Sequence, residues 1–145
     1  MIKSILVVCV GNICRSPMTV GLLQQAMPEL TMFSAGLGAL VGNPADSMAV
    51  QLLSELGADI SGHRAQQMNS ELAGRADLIL VMDNDQRGEV QLLYPQASGK
   101  VFRLGELVKM DIPDPYGEPR RAFEHALHLI REGIDTWVPR IRGLR

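Results

Sequence analysis

The stretch Val7-Val8-Cys9-Val10-Gly11-Asn12-Ile13-Cys14-Arg15-Ser16-Pro17 decides the fold. An apolar run ends in a cysteine, a short loop follows, and an arginine and a serine lead into an amphipathic segment. That order reads as a buried strand, an anion-cradling loop and a helix N-terminus, with the spacing Cys-x5-Arg-Ser. Val10, Gly11, Asn12, Ile13, Cys14 and Arg15 can wrap a tetrahedral dianion with their N–H groups inward. The helix that Ser16 and Pro17 open adds its positive end. Arg15 supplies a planar fork for two oxygens of the anion. The same positive surroundings favour Cys9 as a thiolate, the nucleophilic form. Gly11 and Asn12 tolerate the left-handed backbone that a tight cradle needs.

Taken singly, Cys9 is a small buried hydrophobe, Arg15 a surface charge and Ser16 an ordinary helix cap. Together, at this spacing between a strand and a helix, they read as a catalytic anion site. Two roles stand open for Cys14, plain packing or reversible pairing with Cys9 under oxidation.

Outward from this stretch, Ile5 to Val8 is the continuous apolar run of a strand buried on both faces of a parallel sheet. Pro17 suits the first turn of a helix that runs to about Ala26, with Met18, Leu22, Leu23 and Ala26 inward. Thr31 to Ser34 reads as a short second strand, and the glycine-rich residues 35–44 read as a loop. Asp46 caps a helix with Val50, Leu52, Leu53 and Leu56 on its apolar side, closed by Gly57. Asn69 or Ser70 opens one short helical turn. Leu78 to Met82 is a second buried strand, and Asp83 with Gln86 resembles a capping box for the helix that ends near Tyr94-Pro95. Lys100 to Leu104 is a fourth strand candidate, and residues 110–117 form a stiff loop with prolines on both sides of Asp114. From Pro119 onward, Phe123, Leu127, Ile130, Ile134, Trp137 and Ile141 mark one face of a helix.

Strands alternating with helices predict an α/β fold. It is a single domain over residues 1–145, with three layers and a parallel sheet of about four strands flanked by helices. Ligands in such sheets sit at the carboxyl ends of the strands, which puts the Cys9 loop and the Asp83 turn on one rim.

Composition bounds the rest. With 145 residues and 46% of them hydrophobic, the chain can bury a sizeable core. A net charge of −2 argues against a general nucleic-acid surface. No apolar stretch approaches the roughly 20 residues of a membrane span, so the chain is not expected to be membrane-embedded. The run Met1 to Val8 is too short for a secretory signal, which implies a cytoplasmic chain. Cys9 and Cys14 lie in one loop and cannot staple the fold.

The Cys9 stretch resembles the signature of the low-molecular-weight protein tyrosine phosphatases. Ser34-Ala35-Gly36, Gly42-Asn43-Pro44-Ala45-Asp46, Ser61-Gly62-His63, Val81-Met82-Asp83 and Asp114-Pro115-Tyr116 follow in the family's order and spacing. The resemblance implies a phosphotyrosine protein phosphatase I-like fold and a metal-independent enzyme without a cofactor. It implies that Cys9 attacks phosphorus while Arg15 and the loop amides hold the equatorial oxygens. Asp114 would protonate the departing phenolate and then activate water. Ser16 would stabilise the Cys9 thiolate, and Asn12, Ser16, Ser34 and His63 would brace the loop. Leu40 and Tyr116 would line the substrate pocket.

The chain departs from the family pattern in three places. No aromatic residue occurs in Leu37 to Val41, where many members carry one, and Leu40 takes its place. Gly117 stands where a second tyrosine often follows, and Gln66 where arginine is common. The leucine-bearing loop is similar to bacterial phosphatases encoded with capsule or exopolysaccharide export. The implied partner is the phosphotyrosine-rich cytoplasmic tail of a membrane tyrosine kinase, and the expected state is a monomer. Two other chemistries share parts of the pattern. A thioredoxin-coupled arsenate reductase needs two further cysteines, and residues 70–145 contain none. A cysteine phosphocarrier needs neither Arg15 nor Asp114.

Overall fold

A computed structural model describes residues 1–143. The strands are β1 (Ser4–Cys9), β2 (Thr31–Gly36), β3 (Leu78–Val81) and β4 (Val101–Arg103). The helices are α1 (Arg15–Ala26), α2 (Ser47–Glu55), α3 (Ser70–Arg75), α4 (Asn84–Leu93) and α5 (Arg120–Gly143). Two 3-10 turns, Pro95–Lys100 and Glu106–Val108, flank β4. The sheet is parallel in the order β2-β1-β3-β4. The chain steps from β1 outward to β2 and then crosses back over β1 to β3, so the order reverses between β1 and β3. A ligand crevice is expected at the carboxyl ends of these two strands.

Both inner strands are buried on both faces, as their continuous apolar runs require. Ile5, Val7 and Cys9 of β1, with Leu78 and Leu80 of β3 and Met82 beyond it, join the core shared with α1, α2 and α5. Leu6, Val8, Ile79 and Val81 join the opposite core, under α3 and α4. Asp77 ties the starts of the two strands together, with one carboxylate oxygen accepting from Lys3 N at 2.7 Å and Ser4 N at 3.2 Å.

Boundaries shift in several places, each for a local reason. Helix α1 starts two residues before Pro17, because Cys14 O already accepts the Met18 N–H at 3.2 Å. Thr19 is buried on this helix, with its hydroxyl donating to Arg15 O, while Leu22 and Ala26 are half-buried. Strand β2 continues to Gly36, since β1 stays paired with it up to Cys9. Ala49 rather than Val50 or Leu56 completes the buried face of α2. The predicted fourth strand shortens to three residues because Lys100 closes the preceding turn and the pairing ends at Arg103, with the Leu104 N–H still bonded to Val81 O at 2.8 Å.

Asp83 caps α4 by accepting from Gln86 N at 2.8 Å, but Gln86 reaches back one residue further than a standard box, to Met82 N at 2.9 Å. The apolar face of α5 is buried as its spacing predicts. At Gly133 an added Cβ would meet the Leu104 carbonyl at 2.8 Å, so the helix lies hard against the end of β4. Pro139 sits inside α5 on its exposed side, where a missing N–H is cheapest.

Candidate active site

The loop after β1 is shaped from the outside. Cys9 O accepts from Leu37 N at 3.0 Å, Val10 O from Gly38 N at 3.0 Å, and Gly11 O from Leu40 N at 3.1 Å. Asn12 O lies 2.6 Å from His63 Nε2, and Ile13 O accepts from Asp46 N at 2.8 Å. In a trans peptide, C=O and the following N–H point in opposite directions, and no cis peptide occurs among the described residues. Carbonyls drawn outward by residues 37–46 and His63 therefore turn the amides of residues 10–14 inward. The glycine-rich loop is the mould of the cradle.

Asn12 holds the inner frame. Its φ of 60° is left-handed, a conformation that costs about 1 kcal/mol or more for a residue with a Cβ. Its amide donates to Ser16 Oγ at 2.7 Å and Ser34 Oγ at 3.0 Å, and its Oδ1 accepts from Gln66 N at 2.9 Å. A backbone N–H can only donate, so the Gln66 contact fixes which end of the Asn12 amide is oxygen. With the His63 contact this makes four bonds, each worth about 0.5–1.5 kcal/mol net, which outweigh the strain. A carbonyl only accepts, so His63 carries its hydrogen on Nε2. Burial pulls the His63 pKa down, against the hydrogen bond to Asn12 O, so the ring is neutral at pH 7.

Cys9 is 2% exposed, and its Sγ lies 3.0 Å from Ser16 Oγ. That oxygen already accepts from Asn12, which leaves the hydroxyl hydrogen available to the sulfur. Cys14 is buried beside it as a free thiol. Burial foremost, then the Asp46 and Asp114 carboxylates, pushes the Cys14 thiol up to about 12, with Arg15 opposing. Cys14 is a protonated, packed group at neutral pH.

Arg15 is 3% exposed and folds back under the loop. Its Nη1 donates to Ile112 O at 2.8 Å and lies 4.0 Å from Asp83, and its Nη2 is 3.7 Å from Asp114 Oδ2. Among the described residues, Arg15 Nε is a buried donor without an acceptor. Asp114 is half exposed, and its Oδ1 accepts from Tyr116 N at 3.1 Å, which leaves Oδ2 as the oxygen nearer Arg15. A cavity of about 200 Å³ is lined by Cys9, Val10, Gly11, Ile13, Cys14, Arg15, Gly38, Leu40, Asp114 and Tyr116. Cys9, Arg15 and Asp114 thus meet in one pocket, with Leu40 and Tyr116 in its walls. Asn12, Ser16, Ser34 and His63 form one connected brace around it.

Over residues 4–143 the chain matches the family model of the low molecular weight phosphotyrosine protein phosphatases. The chain belongs to that family. A relative from Ralstonia solanacearum named "Probable low molecular weight protein-tyrosine-phosphatase EpsP" is 57% identical over 144 residues, 99% of each chain. The low molecular weight protein-tyrosine-phosphatase Ptp of Acinetobacter johnsonii is 44% identical over 139 residues, 96% of this chain and 98% of that one. Among solved structures, Vibrio vulnificus Wzb in complex with benzylphosphonate superposes with a TM-score of 0.93 at 41% identity, covering 97% of this chain and 99% of that one. The YwlE arginine phosphatase from Geobacillus stearothermophilus reaches a TM-score of 0.91 at 32% identity, covering 97% and 94%. As a member of the family, the chain is a protein-tyrosine phosphatase.

Two contributors to this phosphatase's site carry no sequence signal of their own. The Ile112 carbonyl grips Arg15 through the backbone. Gln66 offers its N–H to Asn12 and its side chain to Ser34 O at 2.8 Å. Gly36 is required by the mould, since a Cβ there would run into the Val10 carbonyl and meet Ala39 at 3.1 Å. Gly36→Ala should therefore lower kcat/KM about tenfold or more and cost about 1–3 kcal/mol of stability. Kinetics and a denaturant melt on the same preparation check this. Unchanged kinetics would mean that the loop is not set by its outer partners.

Proposed function

We propose that this phosphatase hydrolyses phosphotyrosine through a cysteinyl-phosphate intermediate, with Cys9 as nucleophile, Arg15 and the loop amides as anion clamp, and Asp114 as acid and base. The carrying observation is Arg15: a nearly buried guanidinium with an orphan Nε, beside Cys9 and across from Asp114. A buried donor without an acceptor costs about 1–3 kcal/mol, and a phosphoryl oxygen supplies the acceptor. The Cys9 thiolate forms the S–P bond as the P–O(tyrosyl) bond breaks, and the Asp114 proton passes to the phenolate oxygen. In the second step the Asp114 carboxylate takes a proton from water, whose oxygen bonds to phosphorus. The S–P bond breaks, and Cys9 leaves as a thiolate stabilised by the Ser16 hydroxyl. No step in this scheme calls on a metal.

Leu40, Ile13 and Tyr116 offer apolar walls for a phenyl ring. A phosphoarginine substrate is the competing reading, raised by the arginine phosphatase neighbour. Phosphotyrosine, phosphoserine and phosphoarginine peptides, assayed in chelator, separate these readings. Fast turnover of phosphotyrosine alone is expected, and a preference for phosphoarginine would replace the proposal. Asp114→Asn should lower kcat/KM on phosphotyrosine about 10²–10³-fold and far less on an aryl phosphate whose phenol is already acidic. Tyrosine, with a pKa near 10, needs the proton and the acidic phenol does not. Equal losses on both substrates would remove Asp114 as the acid.

The physiological target we propose is the cytoplasmic tail of a membrane tyrosine kinase that controls exopolysaccharide or capsule export. The likeness to EpsP and Wzb, and the leucine in the pocket-wall loop, support that reading. The phosphatase would act as a cytoplasmic monomer. Among the described residues no helix is long and apolar enough to cross a membrane. A Cys9→Ser trap should capture the phosphorylated kinase tail, and capture of unrelated phosphoproteins alone would count against the target.

A further inference from the structure

The loop that carries Asp114 stands on a charged base that the hydrolytic scheme does not use. Arg103, at the end of β4, is 11% exposed at its side chain and donates to Asp111 Oδ1 at 2.9 Å. Its Nη2 lies 3.4 Å from Glu106 Oε2, and Arg87 holds the other oxygen of Glu106 at 3.0 Å. Behind them, Trp137 Nε1 donates to Leu104 O at 2.9 Å, and Phe102 packs between Trp137 and the Arg87 guanidinium. This base is rigid.

The link from Asp111 to the acid is also stiff. Ile112 is buried, with its N–H donating to Met82 O at 2.8 Å and its carbonyl accepting from Arg15. Pro113 and Pro115 fix the backbone on either side of Asp114. Two residues, the anchored Ile112 and Pro113, separate Asp111 from the acid. For fold stability a half-exposed pair such as Asp111–Arg103 is worth little, about 0–1 kcal/mol. Its leverage lies in its place: an error of about 1 Å at a reacting group can cost about 10²-fold in rate.

We infer that Asp111, held on Arg103, is a positioning residue that aims Asp114 at the leaving oxygen, an inference that rests on the acid role proposed above. It touches no reacting atom and acts through the Ile112–Pro113 strut. Its hydrogen bond is the foremost influence raising the Arg103 pKa, ahead of the burial that opposes it, in keeping with a pair formed in the resting enzyme.

The test compares Asp111→Asn, Asp111→Glu and Asp114→Asn, singly and with Asp111→Asn and Asp114→Asn combined, on phosphotyrosine and on an aryl phosphate with an acidic phenol. Asp111→Asn should lower kcat/KM about tenfold on phosphotyrosine and less than about twofold on the activated ester. Asp111→Glu should recover most of that loss. In the Asp114→Asn background, Asp111→Asn should cost nothing further, because the group it aims is gone. Wild-type rates in Asp111→Asn, equal losses on both esters, or additive losses in the double variant would each overturn the inference. If wild type failed to hydrolyse phosphotyrosine, or Asp114→Asn lost nothing, the acid role itself would fall, which is a distinguishable result.

Discussion

Cys9→Ser should abolish turnover of phosphotyrosine, lowering kcat by at least about 10⁴-fold, while phosphopeptide binding stays within about threefold of wild type. A loss of that size is about 5.5 kcal/mol of activation free energy. It follows from what the substitution removes and what it leaves. A serine hydroxyl at neutral pH is scarcely ionised, and among the described residues the hydrogen-bond partner of the position 9 side chain is the Ser16 hydroxyl, which is no base. The clamp is untouched, because the Cys9 backbone carbonyl still accepts from Leu37 N and Arg15 still lies under the loop. Cys14 cannot stand in, since burial pushes its thiol up to about 12 and keeps it protonated. Single-turnover assays with peptide titrations check the split between rate and binding. Residual turnover above 1% of wild type would exclude Cys9 as the nucleophile, and lost binding with lost turnover would make it part of the clamp instead.

The parts of this molecule that its sequence discloses are those that speak through side chains in short range. Ile5 to Val8 and Leu78 to Met82 are unbroken apolar runs because both faces of β1 and β3 are covered. The face of α5 is legible over residues 123–141 because burial repeats with the helical period. Cys9, Arg15 and Asp114 stand out by residue type and spacing, and the structure places them in one pocket. What stays hidden is carried by backbone atoms between distant segments. The outward carbonyls of residues 9–13 meet Leu37, Gly38, Leu40, Asp46 and His63, yet a carbonyl acceptor looks the same in every residue. The Ile112 carbonyl is invisible for the same reason. Gln66 reads as a mere departure from the family pattern, although its own N–H settles the orientation of Asn12.

These hidden contacts explain why the cradle is rigid although its residues are small. Val10 is exposed and Gly11 has no side chain to hold a shape, and Asn12 is held against its own backbone preference. The shape comes from an outer ring of donors on the 37–46 loop and an inner ring of acceptors and donors around Asn12. Pre-organisation of this kind lowers the reorganisation needed as charge develops on the phosphoryl oxygens, the largest single contribution in comparable anion sites. Its cost is a buried cation that the resting protein satisfies only in part.

That cost can be measured by Arg15→Met. Arg15 has one good hydrogen bond, to Ile112 O, two long carboxylate contacts at 3.7 and 4.0 Å, and an orphan Nε. Desolvating a guanidinium costs several kcal/mol, and such partial pairing does not repay it fully. Methionine fills the same stem volume without that penalty, while Asp83 and Asp114 keep their access to water. The fold of Arg15→Met should therefore remain within about 1 kcal/mol of wild type without ligand. Its kcat/KM should fall by about 10³-fold or more, since both prongs of the phosphate fork are gone. Phosphate separates the two proteins: at about 100 times its Kd it should stabilise wild type by about 2.7 kcal/mol and leave Arg15→Met unmoved. Denaturant melts with and without phosphate, run beside kinetics, give both readings. A loss of more than about 3 kcal/mol in the ligand-free variant would show that Arg15 is a structural ion pair first and an anion clamp second.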